Sequence, residues 1–193
     1  MFERLREERA TGDPTKLVVG LLSSERNLLL QAQSALVEAF GDVTVKSPEI
    51  PFSFTNYYEK EMGPGLTRQW VGFHGLVEPD QLYDFKLTTG LLEKRFHAPT
   101  GRRRVNLDPG LLSLYNLVLA STKSFAHRVY LRDGIYAEPT LVFQAGEFQP
   151  LAWTYPDYQT EVCQKFLLGC RKELLADIAR QRTGGNGPWV PAS

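Results

Sequence analysis

Apolar residues recur along the first half of the chain in two different periods. The stretch Lys16–Leu22 is a continuous apolar run of strand length after its first residue, which is typical of a central strand covered on both faces. Helical spacing follows, up to Gly41, at Leu29, Ala32, Leu36 and Phe40. A short strand at Val43–Val45 comes next, and Pro48 and Pro51 stop it. The pattern therefore predicts a β-α-β beginning.

A second set of elements repeats this order. Leu66–His74 has the composition of a strand, and Pro79 stands where a first-turn proline is favoured. The helix that follows has apolar or small residues at spacings of three and four, namely Leu82, Phe85, Thr89, Leu92 and Phe96. We then expect a strand from Arg104 to Asp108, broken by Pro109-Gly110, and a short helix from about Leu111 to Ser121.

The second half of the chain carries two turn signals and a long helical period. Asp133-Gly134 lies between two alternating runs and predicts a β-hairpin, and Ala145-Gly146 marks a second turn. From Tyr158 to Arg182, apolar residues recur in four-residue steps at Val162, Phe166, Cys170, Leu174 and Ile178. These signals predict a β-meander and a closing helix.

The element order predicts an α+β fold. Its core would be a ferredoxin-like β-α-β-β-α-β unit with a mainly antiparallel sheet, followed by the C-terminal meander and the long closing helix. We expect one globular domain over residues 15–183, with a flexible N-terminal segment at 1–14 and a flexible tail at 184–193.

Composition narrows the classes of function. The 193 residues carry 22 Lys plus Arg and 22 Asp plus Glu, so the net positive field of a general nucleic-acid binder is missing. No apolar run is long enough to span a membrane and the charged start is unlike a secretory signal, which predicts a cytoplasmic protein. Cys163 and Cys170 lie about 10 Å apart on the predicted helix, too far for a disulfide, so we expect two buried thiols.

Polar residues cluster on one predicted strand. Alternation along Arg104–Asp108 sends Arg104, Asn106 and Asp108 to one face and Val105 and Leu107 to the other. Asp108 would then stand at a strand end, where ligand-binding groups are common in α/β sheets. This row is the first sign of a site.

The predicted hairpin supplies a second polar feature. A two-residue turn at Asp133-Gly134 places one mainly apolar set on a single face, namely His127, Val129, Leu131, Tyr136, Glu138 and Thr140. His127 and Glu138 would be polar groups on the core side and would need partners. Either they belong to a functional site or they form a mutually satisfied structural pair.

Together these residues suggest one shared polar pocket. The catalytic candidates are Asp108, His127 and Glu138, and the ligand-binding candidates are Arg104, Asn106, Lys123, Arg128, Tyr155 and Asp157. Carboxylates could hold Mg²⁺ while the cations hold phosphate oxygens, although no cofactor can be assigned. The loop Tyr57–Glu61 could cover such a pocket.

Three classes of function stay open at this point. The first is an enzyme or sensor that binds a small phosphorylated ligand, such as a nucleotide. The second is an RNA-binding module that uses an open sheet face, and the third is a noncatalytic interaction protein whose polar residues are structural. The balanced charge disfavours nucleic acid as a partner, and nothing in the sequence fixes the oligomeric state.

Six blocks in one order resemble a known family. They are Pro51–Gly63, Arg104–Gly110, Ala120–Lys123, His127–Leu131, Gly134–Glu138 and Trp153–Tyr158. Between about Lys16 and Arg182 the chain resembles the bacterial domain-of-unknown-function family 4416, for which the resemblance implies no reaction. Members sometimes bear the label "GTP-binding protein". This chain has no Gly-Lys pair for a P-loop, and Phe125 stands where a guanine-reading Thr-Lys-x-Asp motif needs aspartate.

Overall fold

A computed structural model describes residues 13–55 and 57–184 of the chain, with side chains as far as Gln181. Residues 1–12 and 185–193, which hold most of the two predicted flexible ends, lie outside this description.

In the described part of the chain, nine strands form one sheet in which every neighbouring pair is antiparallel. The main order is β2-β4-β1-β5-β6-β8-β7, with β3 paired to β4 and β9 paired to β8. The strands are β1 Lys16–Ser23, β2 Val43–Lys46, β3 Ile50–Pro51, β4 Thr67–Phe73, β5 Val105–Leu112, β6 Asn116–Ser121, β7 Val129–Arg132, β8 Ile135–Gln144 and β9 Glu147–Pro150.

Three long helices and one short one accompany the sheet. They are α1 Arg26–Phe40, α2 Glu59–Met62, α3 Leu82–Arg95 and α4 Glu161–Gly184. Short 3-10 turns at Pro79–Gln81 and Pro156–Gln159 precede α3 and α4. The predicted α+β class, mainly antiparallel sheet and C-terminal helix are confirmed, whereas the sheet extends well beyond a simple ferredoxin order.

Alternation along β1 divides the core into two layers. Leu17, Val19 and Leu21 pack with α1 and α3 on one face of the sheet, while Val18 packs with Trp70 and α4 on the other. Every residue of β1 is buried, which confirms the prediction of a central strand. The helix α4 therefore lies opposite the two earlier helices, and the polar residues of β5 share its side of the sheet.

The predicted strand break at Pro109-Gly110 is wrong, because β5 continues through both residues to Leu112. Pro109 pairs with Val19 of β1, but β6 joins β5 only from Gly110 onward. Proline has no backbone N–H, so it fits a central strand only where no neighbour needs that donor. Asp108 is thus in mid-strand, at the point where β5 and β6 separate.

Side chains of α3 take the place of the missing strand neighbour. Leu107 points its backbone groups away from β1, and its N–H donates to Glu93 Oε1 at 2.6 Å. Its carbonyl accepts a hydrogen bond from Lys86 Nζ at 3.1 Å. Because these groups are satisfied locally, the sheet can stay open between β5 and the end of β6. This opening makes the pocket described below.

The short helix expected from about Leu111 to Ser121 is also wrong. The chain instead turns at Ser113, whose hydroxyl accepts hydrogen bonds from the backbone N–H groups of Tyr115 and Asn116. Strand β6 then returns along β5. A serine whose side chain accepts these N–H groups favours a tight turn over a helix. The closely spaced leucines on both sides are compatible with two buried strands as well as with a helix.

The hairpin at Asp133-Gly134 is confirmed, but its predicted face is wrong. Asp133 and Gly134 both have positive φ, as a two-residue hairpin turn requires. A bulge between Tyr130 and Arg132 then shifts the register by one residue. All of β7 is exposed at the sheet edge, so Val129 and Leu131 do not share the core side with Glu138.

Candidate functional site

A pocket of about 340 Å³ lies in the opening between β5 and β6. Four basic side chains line it (Arg68, Lys86, Arg103 and Lys123), together with three acidic ones (Asp108, Glu138 and Asp157). Aromatic residues of the loop after β3 and of the segment before α4 complete the wall, and they include Phe52, Phe54, Tyr57, Tyr58, Tyr155 and Tyr158. The volume is within the range of small-molecule sites.

Arg68 is the buried cation at the base of this pocket. Its side chain is 3% exposed, and its guanidinium lies 3.3 Å from Asp108 Oδ2 and 2.9 Å from Asp157 Oδ2. It also lies over the rings of Phe52, Trp70 and Tyr158. Two carboxylates and three aromatic faces offset the cost of burying this charge.

A close approach of β1 makes room for the guanidinium. A Cβ atom on Gly20 would lie 2.9 Å from the Tyr158 hydroxyl and 3.1 Å from Arg68 Nη1. Glycine at this position therefore lets Arg68 and Tyr158 meet above the central strand.

The polar row of β5 continues from Arg68 towards the mouth of the pocket. Asn106 donates its amide N–H to Asp108 Oδ2 at 2.7 Å and accepts a hydrogen bond from Arg103 at 2.8 Å. Arg103 also pairs with Glu61 of α2 at 2.6 Å. The predicted alternation is correct for Asn106 and Asp108, whose side chains form one hydrogen-bonded chain beside the opening.

Glu138 of β8 forms the opposite wall, and it is 1% exposed. Its Oε2 accepts a hydrogen bond from Arg128 Nε and lies 3.3 Å from His127 Nε2. The His127 ring stacks on Trp153, with ring centroids 4.6 Å apart. Arg128 also donates to Tyr155 Oη at 2.7 Å, so one guanidinium ties β8 to the segment before α4.

Lys123 stands at the rim and differs from the other cations. Its Nζ donates to Tyr57 Oη at 2.6 Å and lies over the Tyr57 ring. Within residues 13–55 and 57–181, it is the one basic residue of the lining without a carboxylate partner. Its positive charge faces the pocket uncompensated by a neighbouring acid.

Burial shifts the acid–base properties of several lining groups. Loss of solvent raises the pKa of Asp157, although the neighbouring Arg68 opposes the change. Desolvation likewise raises the pKa of Tyr58 and of Tyr155, with the charges of Asp108 and Glu138, respectively, adding to it. Both phenols therefore stay neutral further into the alkaline range than an exposed tyrosine does.

Five buried polar atoms of lining residues have no hydrogen-bond partner among the described residues. Arg68 Nε and Asp157 Oδ2 nevertheless face each other as an ion pair at 2.9 Å, which leaves Arg103 Nε, Glu138 Oε1 and the hydroxyl of Tyr158. Buried polar atoms are normally paired, because an unpaired one costs about 1–3 kcal/mol. Each of them is also almost fully shielded from solvent, so a molecule in the pocket would pair with it only if side chains of the wall shift to admit it.

Most of the predicted site residues come together here, as the lining includes Asn106, Asp108, Lys123, Glu138, Tyr155 and Asp157. His127 and Arg128 lie behind the wall and contact the pocket through Glu138. Arg104 does not join them, because its guanidinium pairs with Glu25 near the start of α1. Arg104 precedes β5, so the strand alternation does not govern its direction.

Among the charged residues of the lining, Arg68, Lys86 and Arg103 were not among the predicted site residues. One signal for Arg68 was present. It alternates with Trp70 in β4, which puts a cation on a face that otherwise buries large apolar groups. Lys86 gave no local signal, because a lysine on a helix resembles ordinary surface. Arg103 belongs to a run of three arginines that could meet phosphate, but such a run equally resembles a solvated basic turn.

The acidic residues do not form a ready-made metal centre. Among the residues that the structure describes, no group of three or more His, Cys, Asp or Glu side chains is placed to hold a metal ion. Asp108 and Asp157 both contact Arg68, so a cation at these carboxylates would have to compete with a guanidinium. In the same described part, no helix has the length and apolarity needed to cross a membrane.

Comparison with known proteins places the chain in one family. The family model described as "Domain of unknown function (DUF4416)" matches residues 13–174. The chain therefore belongs to this family, as the six sequence blocks suggested. No curated protein and no solved structure matches the chain.

Proposed function

We propose that the protein binds a small anionic ligand, of the phosphate-bearing class, in the pocket between β5 and β6. The observation that carries the proposal is Lys123, whose ammonium group lies at the rim without an acidic partner in the described chain. A lysine in this state attracts phosphate or carboxylate as a point charge.

The surrounding charges support this choice of ligand. Basic side chains outnumber acidic ones in the lining by four to three. Just outside the lining, Arg128 adds one basic group and Glu61 and Glu93 add two acidic ones, so the positive excess belongs to the lining itself. A pocket with a small positive excess and low-dielectric aromatic walls concentrates anions.

The catalytic candidates have unequal positions in this proposal. Asp108 and Glu138 face the pocket and could act on a bound ligand, whereas His127 would act only through Glu138. Mg²⁺, if it takes part, would enter with the phosphate, since metal ions commonly bridge a carboxylate and phosphate oxygens. Binding is therefore the core of the proposal, and any reaction is secondary to it.

The fold proposed for the central strands is ferredoxin-like. The order β2-β4-β1-β5, with α1 and α3 on one face, supports that description of the first half. Strands β6 to β9 and α4 would then be additions that create the pocket. A solved structure of a relative with the same four-strand order would test it.

Lys123 provides the test of binding. We expect phosphate, pyrophosphate or ribose 5-phosphate to raise the melting temperature, while uncharged ribose does not. Lys123→Gln should weaken the affinity of the best anion about tenfold or more, because a hydrogen bond to a charged group is lost. Isothermal titration calorimetry measures this change.

The matched control is Lys172→Gln, at an exposed lysine of α4. It should leave the affinity unchanged. If no anion binds, or if both lysine variants bind as the wild type does, the proposal is wrong and a structural or interaction role for these polar residues is favoured.

A further inference from the structure

Glu138 presents a buried hydrogen-bond acceptor without a partner in the part of the chain that the structure describes. Its Oε2 is occupied by Arg128 and His127, but its Oε1 has no partner in the described ranges 13–55 and 57–181. An ionised carboxylate has only acceptor sites, so the missing partner must be a donor. The wall of the pocket therefore contains an acceptor for an N–H or O–H group.

This acceptor is close to the proposed anion site. Arg128 connects Glu138 to the residue that carries the anion site. Its Nη1 donates to the Lys123 carbonyl at 2.8 Å, and its Nε donates to Glu138. The Lys123 backbone and the Glu138 carboxylate thus flank a single guanidinium. Lys123 and Glu138 also belong to the lining of the same pocket.

Partly exposed aromatic rings belong to the same pocket. Phe54, Tyr57 and Tyr155 belong to the lining and are 38%, 54% and 42% exposed. Exposed aromatic faces favour flat rings, and stacking of a base on such a face contributes about 1–3 kcal/mol. The Lys123 ammonium already covers the Tyr57 ring, which leaves Phe54 and Tyr155 as the stacking candidates. A sugar hydroxyl also donates a hydrogen bond, but a sugar is not flat, whereas a nucleobase combines a donor with a flat ring.

From these features we propose that the ligand joins its anionic group to a planar nitrogen heterocycle, as in a nucleotide, and that Glu138 Oε1 accepts an N–H of the heterocycle. This inference rests on the proposed function, since Lys123 holds the anionic end. Carboxylates accept from base amino groups in the same way in nucleic-acid recognition.

The first test compares ligands on the wild-type protein. The probes are ribose 5-phosphate and the four ribonucleoside 5′-monophosphates, titrated by calorimetry. We expect at least one nucleotide to bind about tenfold or more tightly than ribose 5-phosphate, because it pairs the orphan acceptor and stacks on the rings. Equal affinity of ribose 5-phosphate and all four nucleotides overturns the inference but leaves anion binding intact. Absence of binding by every phosphate compound overturns both.

The second test removes the acceptor. Glu138→Gln should reduce the preference for the nucleotide over ribose 5-phosphate, while Glu147→Gln, at an exposed carboxylate of β9, should preserve it. If Glu138→Gln does not fold, the best nucleotide with its base nitrogens methylated replaces the variant. It should lose the preference, and undiminished binding of the methylated compound would contradict a role for Glu138.

Discussion

Replacement of Arg68 by methionine is expected to lower the free energy of unfolding by about 3–5 kcal/mol, the usual cost of removing one partner of a buried ion pair. Asp157 is 2% exposed and would lose its cation, and Asp108 would lose one of its two. The three aromatic rings under the guanidinium would lose a cation–π contact as well. Urea unfolding at pH 7 measures the loss.

Arg26→Met is the matched control for this variant. Arg26 pairs with Glu49, but its side chain is 72% exposed, so its removal should cost less than about 1 kcal/mol. Adding Asp157→Asn to Arg68→Met should recover part of the stability, because it removes the unpaired charge. Similar small losses in both arginine variants would mean that Arg68 does not hold the base of the pocket together.

The Arg68→Met defect should also depend on pH. Burial already raises the pKa of Asp157 in the wild type, and without Arg68 the pKa rises further. The pKa of Asp157 is higher in the folded variant than in the unfolded chain, so its contribution to folding is most favourable below the unfolded pKa of about 3.9, where the carboxyl group is protonated. This contribution is lost as the pH increases through the folded-state pKa. The variant should therefore approach wild-type stability in acid.

The second large effect is expected at Lys16, which lies in the centre of the sheet. Its ammonium group is 2.9 Å from Asp177 and 3.5 Å from Glu173, so it joins β1 to α4. Lys16→Met should lower the free energy of unfolding by about 2–3 kcal/mol. This is below the usual range for a buried pair, since Asp177 keeps its contact with Arg180.

Asp177 gives the Lys16 variant its own pH signature. Burial opposes the charge of Asp177, but hydrogen bonds from Lys16 and Arg180 outweigh it and lower the pKa. Because the pKa of Asp177 is lower in the folded protein, its ionised carboxylate stabilises the fold above the unfolded pKa of about 3.9. This stabilisation is lost in acid as the carboxylate is protonated. The gap between wild type and Lys16→Met should narrow below about pH 4. Lys172→Met, exposed on the same helix, should show no gap at any pH.

Local periodicity was enough to predict the elements that bury one or both faces. The strand at Lys16–Leu22, the helix after Pro79, the turns at Asp133-Gly134 and Ala145-Gly146, and the closing helix all follow from spacing and turn chemistry. Each of these signals lies within about twenty residues of chain, so no knowledge of distant partners was needed.

Pro109 shows where such reasoning ends. A proline breaks a strand only if a neighbour needs its N–H, and here β6 has already separated from β5 on that side. The separation in turn depends on Glu93 and Lys86 of α3, which satisfy Leu107 in place of a strand. These residues can be read from the sequence, but their contacts with Leu107 cannot, because those contacts depend on the tertiary fold.

The candidate site was predictable in part for the same reason. Asn106, Asp108 and Glu138 follow from alternation and from polar residues on a buried face. Arg104 was misplaced because the strand begins one residue later, at Val105. Arg68, the cation at the base, becomes recognisable only when its two carboxylate partners on other segments are in view.

Nuclear magnetic resonance of the labelled protein tests the central claim most directly, namely that an anion binds between β5 and β6. Titration with ribose 5-phosphate should shift the backbone amide signals of 121–123 and of Glu138, and Lys123→Gln should suppress those shifts at the same concentrations. Signals on the outer face of α1, such as Glu38, should not move. Shifts confined to α1 or to β2, or no shifts at millimolar ligand, would contradict the assignment of this pocket.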